Sequence, residues 1–453
     1  MNGKILVVSR YRRINPYSLE KKGIGYSLLL PKRDKKVLKY AKYYEDVDEE
    51  RYEKVFEVNV NVGLPVLLKE LKAIKRIGWD GIYIVNPLPD VPIQYVLLMM
   101  YFSAIPVYLV DSNYKSNRVS FTRKIWLLIK SLVLNKNVRY RFPAIVSRKL
   151  NMAYNFGKPS TVIIENTNIC DQKCPICETG LGILRRKKGT MSLEKYKAII
   201  DEVKEYVEKV SIYFMGEPLL DKTFYDKVKY TVDNKIITSI ATNGNLLDVE
   251  KLFWCGLHQI DFKMSGMDES THDKYRVGGS LEKVVEHIKV IVRERESRKS
   301  VLPYIGLGFI VMKHNEHQKD EFLEFAKTLG VDNYRLVKTC LRTVEQANSM
   351  LPIDEDFSIY DHEMLKKGLL IPKWRPHNQC GVVWHQTVIS WDGNVFPCCT
   401  DAHGDYTFGN IFEEKKFGKI WNSKKMRDFR KKILIDQKSI NICDLCQEFA
   451  TTR

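Results

Sequence analysis

Short apolar runs alternate with amphipathic segments through residues 160–340. Apolar residues recur with helical spacing at 191–209, 280–295 and 316–329. Between these helices, apolar runs predict six strands, at 161–165, 210–215, 236–242, 258–264, 304–312 and 333–338. The alternation implies a parallel sheet covered by helices, and six repeats predict an α/β fold with a partial, TIM-like (β/α)6 barrel. Functional residues of such a barrel lie at the carboxyl ends of its strands.

Residues 1–111 show a second alternation and predict a separate α/β domain with a Rossmann-like layout. We expect strands at 4–9, 55–61, 81–86 and 106–110 and helices at 65–77 and 92–104. No glycine-rich phosphate-binding sequence follows the first strand, so phosphate binding by such a loop is not supported. The uncharged stretch 91–110 is long enough to cross a bilayer, but Pro106 interrupts it and favours a helix followed by a buried strand.

The chain carries a formal net charge of +18, and much of that charge lies between the two α/β regions. The 53 residues between Asp111 and Glu165 contain eleven Lys or Arg and no Asp or Glu. We predict a basic linker over 112–159, with a Trp-containing amphipathic helix at 123–134. Such a helix is typical of an interfacial membrane binder, and a linker helix packed on the barrel is an equal alternative. Nucleic-acid contact is disfavoured because no RNA-binding fold is recognised.

Three closely spaced cysteines follow the first strand of the predicted barrel. Cys170, Cys174 and Cys177 stand in the sequence C-D-Q-K-C-P-I-C. Full cysteine ligation of a [4Fe–4S] cluster takes four thiolates, so three leave one iron open to another ligand. Taken alone, the spacing also permits a zinc site. The spacing resembles that of the radical S-adenosylmethionine (SAM) superfamily, in which the open iron binds the amino and carboxylate groups of SAM.

Further motifs support this resemblance because they occur in the order typical of the family. Met215-Gly216-Glu217-Pro218 resembles the G-G-E-P segment whose backbone holds the SAM amino group, with Met in place of the first Gly. The resemblance also implies contacts with the SAM carboxylate and ribose at the following strand ends, and with adenine on the fifth strand. The implied SAM-binding residues are Gly216, Glu217, Thr242, Asn243, Ser265, Arg276 and Val311.

A second group of cysteines lies near the end of the sequence. Twelve residues separate Cys380 from Gly393, four more precede Cys398, and Cys443 and Cys446 form a C-x-x-C pair. These spacings resemble the SPASM and twitch extensions of radical SAM enzymes. The shorter, twitch-like form is the better match because no cysteine follows Cys446. The resemblance implies one auxiliary [4Fe–4S] cluster held by Cys380, Cys398, Cys443 and Cys446, and a structural zinc site is the alternative.

Cys399 and Asp401 are the candidate catalytic residues. In some relatives an acid next to the cysteine that corresponds to Cys398 takes a proton from the substrate. Cys399 holds that adjacent position here, and Asp401 follows two residues later. Either residue is therefore a candidate proton or hydrogen-atom donor. A buried small residue and a turn aspartate are the alternative interpretation. We interpret Cys255 and Cys340 as buried thiols. The basic run 185–188 adds positive charge near the site or forms a solvated loop.

The resemblance implies an enzyme that reductively cleaves SAM to a 5′-deoxyadenosyl radical, which abstracts hydrogen from an organic substrate. Such an enzyme needs an electron donor such as flavodoxin or ferredoxin. The basic segment and the N-terminal domain favour a lipid or cell-envelope precursor as the substrate. A peptide-modifying SPASM-type maturase and a non-catalytic iron–sulfur electron carrier are the alternatives.

The predicted location follows from the cofactors. Oxygen-sensitive clusters need a reducing interior, and the first residues lead into a strand pattern without a cleavable signal. We therefore expect a cytoplasmic enzyme, with peripheral contact at the inner face of the membrane as an alternative. The predicted domains are the α/β domain (1–111), the basic linker (112–159), the radical SAM core (160–340) and the cluster-binding extension (341–453).

Overall fold

The computed structural model divides into two compact units. One unit comprises Met1–Asn135 with Arg293–Leu302, and the other comprises Lys136–Val292 with Pro303–Arg453. The helices predicted at 65–77 and 92–104, and most of the basic helix at 123–134, lie outside the described residues. Among the helices that are described, none is long and apolar enough to cross a membrane. The described residues are 4–8, 25–31, 54–58, 81–85, 107–110, 116–120, 122, 123, 125, 137–373, 378–414, 416–444 and 446.

The first unit contains a six-stranded sheet. Its strands are β1 (Lys4–Val8), β2 (Gly25–Pro31), β3 (Lys54–Val58), β4 (Gly81–Val85), β5 (Val107–Val110) and β6 (Ser116–Arg118). The first five are parallel in the order 3-2-1-4-5, and β6 pairs antiparallel with β5. That order is typical of doubly wound, Rossmann-type sheets. The Rossmann-like layout is therefore present, although the sequence pattern does not predict β2 or β6.

The second unit contains the barrel strands. They are β7 (Thr161–Ile164), β8 (Lys209–Ser211), β9 (Ile237–Thr242), β10 (Gln259–Met264), β11 (Tyr304–Val311) and β12 (Asn333–Lys338). Each strand pairs in parallel with the next one along the chain. Six parallel strands in sequence order confirm the predicted partial (β/α)6 arrangement.

Helices alternate with these strands, as their apolar periodicity predicts. In the helix 193–203, the N-cap Ser192 accepts a hydrogen bond from the Lys195 N–H, and one apolar face is buried, including Tyr196 and Ile200. Among the described residues, the α-helices up to β12 are α1 (Phe142–Lys149), α2 (Leu193–Val203), α3 (Phe224–Asp233), α4 (Val249–Cys255), α5 (Glu269–Asp273), α6 (Leu281–Ser297) and α7 (Lys319–Thr328).

The strand β8 ends earlier than its apolar pattern predicts. The N–H of Ile212 still donates to the carbonyl of Ser239 at 2.9 Å, but regular pairing stops at Ser211. Gly216 then adopts a φ of +89°, which turns the chain away from the sheet. Residues 212–217 therefore form a loop at the carboxyl end of the barrel, where functional residues are expected.

The C-terminal segment adds two strands to the barrel sheet, which then has eight. β13 (Gln386–Ile389) pairs in parallel with β7, and β14 (Val395–Phe396) pairs antiparallel with β13. Ile163, Val388 and Phe396 form a small buried core against which Phe214 packs. The remaining helices are α8 (Val344–Met350), α9 (His362–Lys366), α10 (Val382–His385), α11 (Ile411–Glu414), α12 (Phe417–Trp421), α13 (Lys424–Asp436) and α14 (Asn441–Asp444).

Candidate active site and auxiliary cysteine site

The loop 169–177, here called the cysteine loop, follows β7 at the carboxyl end of the barrel. Cys174 is buried, and Cys170 and Cys177 are partly buried. The N–H of Cys177 donates to the carbonyl of Cys174 at 3.2 Å, which forms a turn and brings these two cysteines close. The N–H of Lys173 donates to the carbonyl of Val277 at 2.9 Å, so the loop is fixed to the segment after α5.

Two neighbouring strand ends hold the start of the cysteine loop. The Glu217 N–H, beyond β8, donates to the carbonyl of Ile169 at 2.8 Å. The Asn243 side-chain amide, at the end of β9, donates to the Asp171 carboxylate at 2.6 Å. Because parallel strands end at one edge of the sheet, residues far apart in sequence meet there. The predicted SAM-binding strand ends are thus hydrogen-bonded to the loop that carries the cysteines.

Glu217 connects the ends of β8 and β9. One carboxylate oxygen accepts from the Thr242 hydroxyl at 2.7 Å and from the Leu219 N–H at 3.1 Å, and the other accepts from the Asn243 N–H at 2.7 Å. Burial raises the pKa of Glu217 to about 7, although these hydrogen bonds oppose the rise. Glu217 therefore orients the backbone groups to which the resemblance assigns SAM binding.

Gly216 lies too close to the cysteine loop for any larger residue. A Cβ atom at this position would lie 2.6 Å from the carbonyl oxygen of Ile169 and 2.7 Å from the carbonyl carbon of Asn168. Both the positive φ and this close approach require glycine. The glycine retained in the altered G-G-E-P segment is therefore the one that the packing needs.

Ser265, at the end of β10, has its polar groups engaged. Its hydroxyl donates to the carbonyl of His272 at 3.1 Å, and its carbonyl accepts from the Asn315 side chain at 2.8 Å. Asn315 also donates to the carbonyl of Ile310 at 2.9 Å and is fully buried. It fixes the ends of β10 and β11 together. Sequence reasoning missed this asparagine, because nothing in its local pattern distinguishes it from a turn residue.

Val311, the predicted adenine contact, is fully buried near the end of β11. By strand alternation its side chain points the same way as that of Phe309. The Phe309 ring lies 4.9 Å from that of Phe322 on α7, so this is the helix-facing side of the strand. The contact of Val311 with adenine stays a prediction.

Arg276 lies beside the cysteine loop, and the donors around it fit a cluster with bound SAM. Its positive charge lowers the pKa of the Cys174 thiol and so opposes the rise caused by burial. Within the part of the chain that the structure describes, Arg276 Nε and Gln172 Nε2 are buried without a hydrogen-bond partner. Buried donors are seldom left unpaired. Acceptors such as cluster sulfides or a carboxylate would satisfy them.

Burial dominates the acid–base behaviour of the cysteine loop. It raises the pKa of Cys170 to about 12, and it raises that of Cys174 although Arg276 opposes the change. Thiolates are the metal ligands, so these thiols would lose protons when a metal or cluster binds.

The four cysteines of the predicted auxiliary site influence one another electrostatically. Burial raises the pKa of Cys443 to about 12, and Cys380 and Cys446 raise it further. The same two cysteines act on Cys398, whose pKa is also raised chiefly by burial. Gln437, fully buried beside Cys443, has a side-chain nitrogen with no partner among the described residues. The donor set therefore fits an iron–sulfur cluster and also fits zinc.

Neither cysteine group forms a closed metal site by itself. Across the described ranges, no three His, Cys, Asp or Glu side chains are gathered closely enough to hold a metal ion. The electrostatic effects between the thiols act over longer distances than metal bonds. The two sets of cluster ligands therefore stay predictions.

The two candidate catalytic residues differ in their surroundings. The Asp401 carboxylate is buried and accepts hydrogen bonds from the N–H groups of Asp405 and Tyr406, at 2.8 and 2.9 Å. These are the contacts of a turn aspartate. Cys399 is exposed and lies near Tyr213, whose pKa it raises. The donor role of either residue stays a prediction.

Two family models match this chain, one for each cysteine group. A radical SAM superfamily model matches residues 164–329, and SPASM, an iron–sulfur cluster-binding domain, matches residues 380–447. This chain therefore contains a radical SAM domain followed by a SPASM domain. It is thus an enzyme that uses SAM and a [4Fe–4S] cluster, and its SPASM domain provides auxiliary iron–sulfur binding.

Three proteins similar to this chain each cover about 60 to 75% of it. The tungsten-containing aldehyde ferredoxin oxidoreductase cofactor-modifying protein of Pyrococcus furiosus is 28% identical over 59% of this chain and 82% of its own length. The PqqA peptide cyclase of Bradyrhizobium diazoefficiens is 23% identical over 63% of this chain and 79% of its own. Streptococcus suis SuiB, solved with bound S-adenosylmethionine, is 15% identical, with a TM-score of 0.47 over 75% of this chain and 77% of its own.

Proposed function

We propose that this enzyme reductively cleaves SAM and uses the 5′-deoxyadenosyl radical to modify a peptide. The cleavage step rests on one observation, the hydrogen-bonded contact between the cysteine loop and the strand ends. Glu217 contacts Ile169, and Asn243 contacts Asp171, which supports a site where the cysteine loop and the backbone proposed to bind SAM are adjacent.

Each group of residues in this site has a separate proposed role. Cys170, Cys174 and Cys177 would hold a [4Fe–4S] cluster, which supplies the electron for SAM cleavage. The backbone at Gly216, oriented by Glu217, would hold the SAM amino group. Arg276, whose Nε is buried without a partner among the described residues, would contribute a donor to the SAM carboxylate.

This contact argues against the alternative of a simple electron carrier. An electron carrier needs thiols around a cluster, but it needs no pocket for an amino acid group beside them. The close approach at Gly216 and the Glu217 hydrogen bonds order the backbone beside the cysteine loop without contributing any metal ligand, and this supports SAM binding there. SAM chemistry accounts for both features.

The peptide substrate is supported by the relatives rather than by the geometry. Two PqqA peptide cyclases, from Bradyrhizobium diazoefficiens and Rhodopseudomonas palustris, are similar over 63% and 60% of this chain. The lipid or cell-envelope precursor is suggested mainly by the basic segment 123–134, which lies mostly outside the described residues. We therefore prefer the peptide alternative.

The experiment uses anaerobically reconstituted protein and measures iron, sulfide and 5′-deoxyadenosine after dithionite reduction. We compare the wild type with a variant in which Cys170, Cys174 and Cys177 are all Ala. We expect about eight irons per chain in the wild type and about four in the variant, with 5′-deoxyadenosine lost. If the wild type keeps its iron but forms no 5′-deoxyadenosine, the electron-carrier alternative replaces this proposal.

The substrate class is tested with the same wild-type protein. A synthetic peptide library is expected to increase 5′-deoxyadenosine formation above the rate without substrate, whereas a detergent-solubilised lipid extract is not. Stimulation by the lipid extract alone would restore the lipid alternative.

A further inference from the structure

The inner face of β10 carries two charged side chains. Ile260, Phe262 and Met264 are fully buried on one face, and Asp261 and Lys263 alternate with them on the other. The latter two contact Gly306 and Gly308 of β11, on the opposite side of that strand from the helix-facing Phe309. Asp261 and Lys263 therefore point into the barrel.

Two glycines of β11 make room for these side chains. A Cβ at Gly308 would lie 2.9 Å from the Lys263 Cδ and 3.2 Å from its Nζ, and a Cβ at Gly306 would overlap the Asp261 carboxylate. Glycine inside a strand weakens the strand and often marks a close approach by another group. The barrel interior is thus shaped around a lysine and an aspartate.

Positive charge predominates around this pair. Lys263 Nζ lies 3.9 Å from the Asp261 carboxylate, which is longer than a hydrogen bond. The other oxygen of Asp261 accepts from Gln259 at 2.7 Å, and Lys209 donates to Gln259 at 3.3 Å. Asp261 is therefore shared among several groups and compensates Lys263 only in part.

Two arginines add to this excess of positive charge. Burial lowers the pKa of Lys263 to about 8, which Asp261 opposes, while Arg335 of β12 and Arg276 lower it further. A largely buried cation among other cations is costly unless an anion compensates it. An anionic group of a ligand would fill that role.

We propose that Lys263, supported by Arg335, binds a carboxylate of the substrate peptide inside the barrel, so that the enzyme selects peptides with an acidic residue near the reacting position. This inference rests on the proposed peptide-modifying function. The carboxylate comes from the substrate, and the methionine carboxylate of SAM is the competing source that the experiment must exclude.

The candidate donor Cys399 lies near the same interior. Burial raises the pKa of Tyr213, in the loop after β8, to about 12; Cys399 and Asp261 raise it further, and Arg335 opposes them. Tyr213 is thus close to both Cys399 and the charged residues. A peptide held by Lys263 would lie within the part of the barrel that Cys399 approaches.

The test is peptide binding to the anaerobically reconstituted full chain with SAM present, measured by isothermal titration calorimetry. The probes are two alanine heptapeptide amides, one with a central Glu and the other with a central Gln. The wild type is expected to prefer the Glu peptide by about tenfold, the size of one charge-assisted hydrogen bond. Lys263→Met should abolish this preference. The control Lys289→Met alters an exposed lysine of α6 and should keep it.

A second variant keeps the proposal testable if Lys263→Met fails to fold. Asp261→Asn removes the competing carboxylate while keeping the side-chain shape, so it should strengthen binding of the Glu peptide. Equal binding of both peptides by the wild type, or a Glu preference kept in Lys263→Met, would overturn the proposal. Unchanged or weaker Glu-peptide binding by Asp261→Asn would also overturn it.

The affinity of each variant for SAM alone identifies the source of the carboxylate. A loss of about tenfold or more in Lys263→Met would assign the lysine to the SAM carboxylate and overturn the proposal. The 5′-deoxyadenosine assay separates this inference from the proposed function. If SAM is cleaved but the Glu preference is missing, only the inference fails; if SAM is not cleaved, the proposed function fails.

Discussion

Arg186 donates two hydrogen bonds to the Glu165 carboxylate, at 2.7 and 2.6 Å; the Glu165 side chain is fully buried and that of Arg186 is 9% exposed. Arg186 also donates to the carbonyl of Ala402 at 2.7 Å, and its guanidinium lies over the Phe214 and Phe396 rings. The pair connects the segment after the cysteine loop, the end of β7 and the SPASM domain. Of the two interpretations of the basic run 185–188, the solvated loop therefore does not hold for Arg186.

We predict that Arg186→Met destabilises the enzyme strongly. The substitution leaves the Glu165 carboxylate buried without its cation, and breaking a buried pair in this way costs about 3–5 kcal/mol. Urea unfolding followed by circular dichroism under anaerobic conditions measures the loss as a lower denaturation midpoint.

Arg185→Met is the matched control for this prediction. The neighbouring Arg185 also pairs with a carboxylate, Asp405, but its side chain is 62% exposed. An exposed pair contributes about 0–1 kcal/mol, so the midpoint should move little. Equal losses in the two variants would show that the buried pair has no special role.

We predict that Gly216→Ala disrupts the cysteine loop. The new methyl group would meet the Ile169 carbonyl at 2.6 Å, and the loop must move to relieve the overlap. We expect iron content to fall and SAM affinity to decrease by about tenfold or more. Iron analysis and SAM binding by equilibrium dialysis measure these effects.

Gly182→Ala separates backbone strain from this overlap. Gly182 also has a positive φ, +70°, but among the described atoms none lies within 4 Å of the place that the new methyl group would occupy. Strain alone should cost about 1–2 kcal/mol of stability and leave iron and SAM binding intact. If Gly182→Ala loses iron to the same extent, the overlap at Gly216 is not the cause.

The sequence predicts the parts of this site that follow from strand order. Cys170, Gly216 and Asn243 meet because each follows a strand of one parallel sheet, and the carboxyl ends of such strands share an edge. The pairing of β13 with β7 is not predictable in this way, because it depends on contact between segments more than 200 residues apart. The inward position of Lys263 likewise depends on its register with Gly308.

We predict that Cys398→Ala removes the metal of the auxiliary site while leaving that of the cysteine loop. Loss of one thiolate from a fully cysteine-ligated cluster should lower the iron content by about four per chain. The zinc alternative predicts instead the loss of about one zinc with no change in iron. Elemental analysis for both metals distinguishes the two sites.

Cys255→Ala is the control for the auxiliary site. Cys255 is also buried, but it lies on α4 and its thiol donates to the Leu252 carbonyl at 3.1 Å. Its removal should leave both metals unchanged. A loss of iron in this variant would indicate that the analysis reports general destabilisation and not ligand loss.

We predict that His258, which precedes β10, makes the enzyme less stable in acid. Its Nδ1 accepts a hydrogen bond from the Thr238 N–H at 3.2 Å, so this nitrogen carries no proton and the ring is neutral. Burial lowers the pKa of His258 from 6.5 to about 4. Between these values the unfolded state binds more protons than the folded state, so stability falls as the pH falls. His258 does not lower the free energy of unfolding above pH 6.5. As the pH falls from 6.5 towards 4, the free energy of unfolding decreases by up to about 3 kcal/mol.

His258→Asn tests this linkage, because the Asn side-chain oxygen can accept from Thr238 and does not titrate. We expect the variant to lose less stability than the wild type between pH 7 and pH 4.5, whatever its stability at pH 7. Urea unfolding at several pH values gives both slopes. His272, whose pKa burial also lowers to about 4, keeps part of the acid sensitivity in the variant. Identical slopes for the two proteins would show that His258 is not held neutral by the fold.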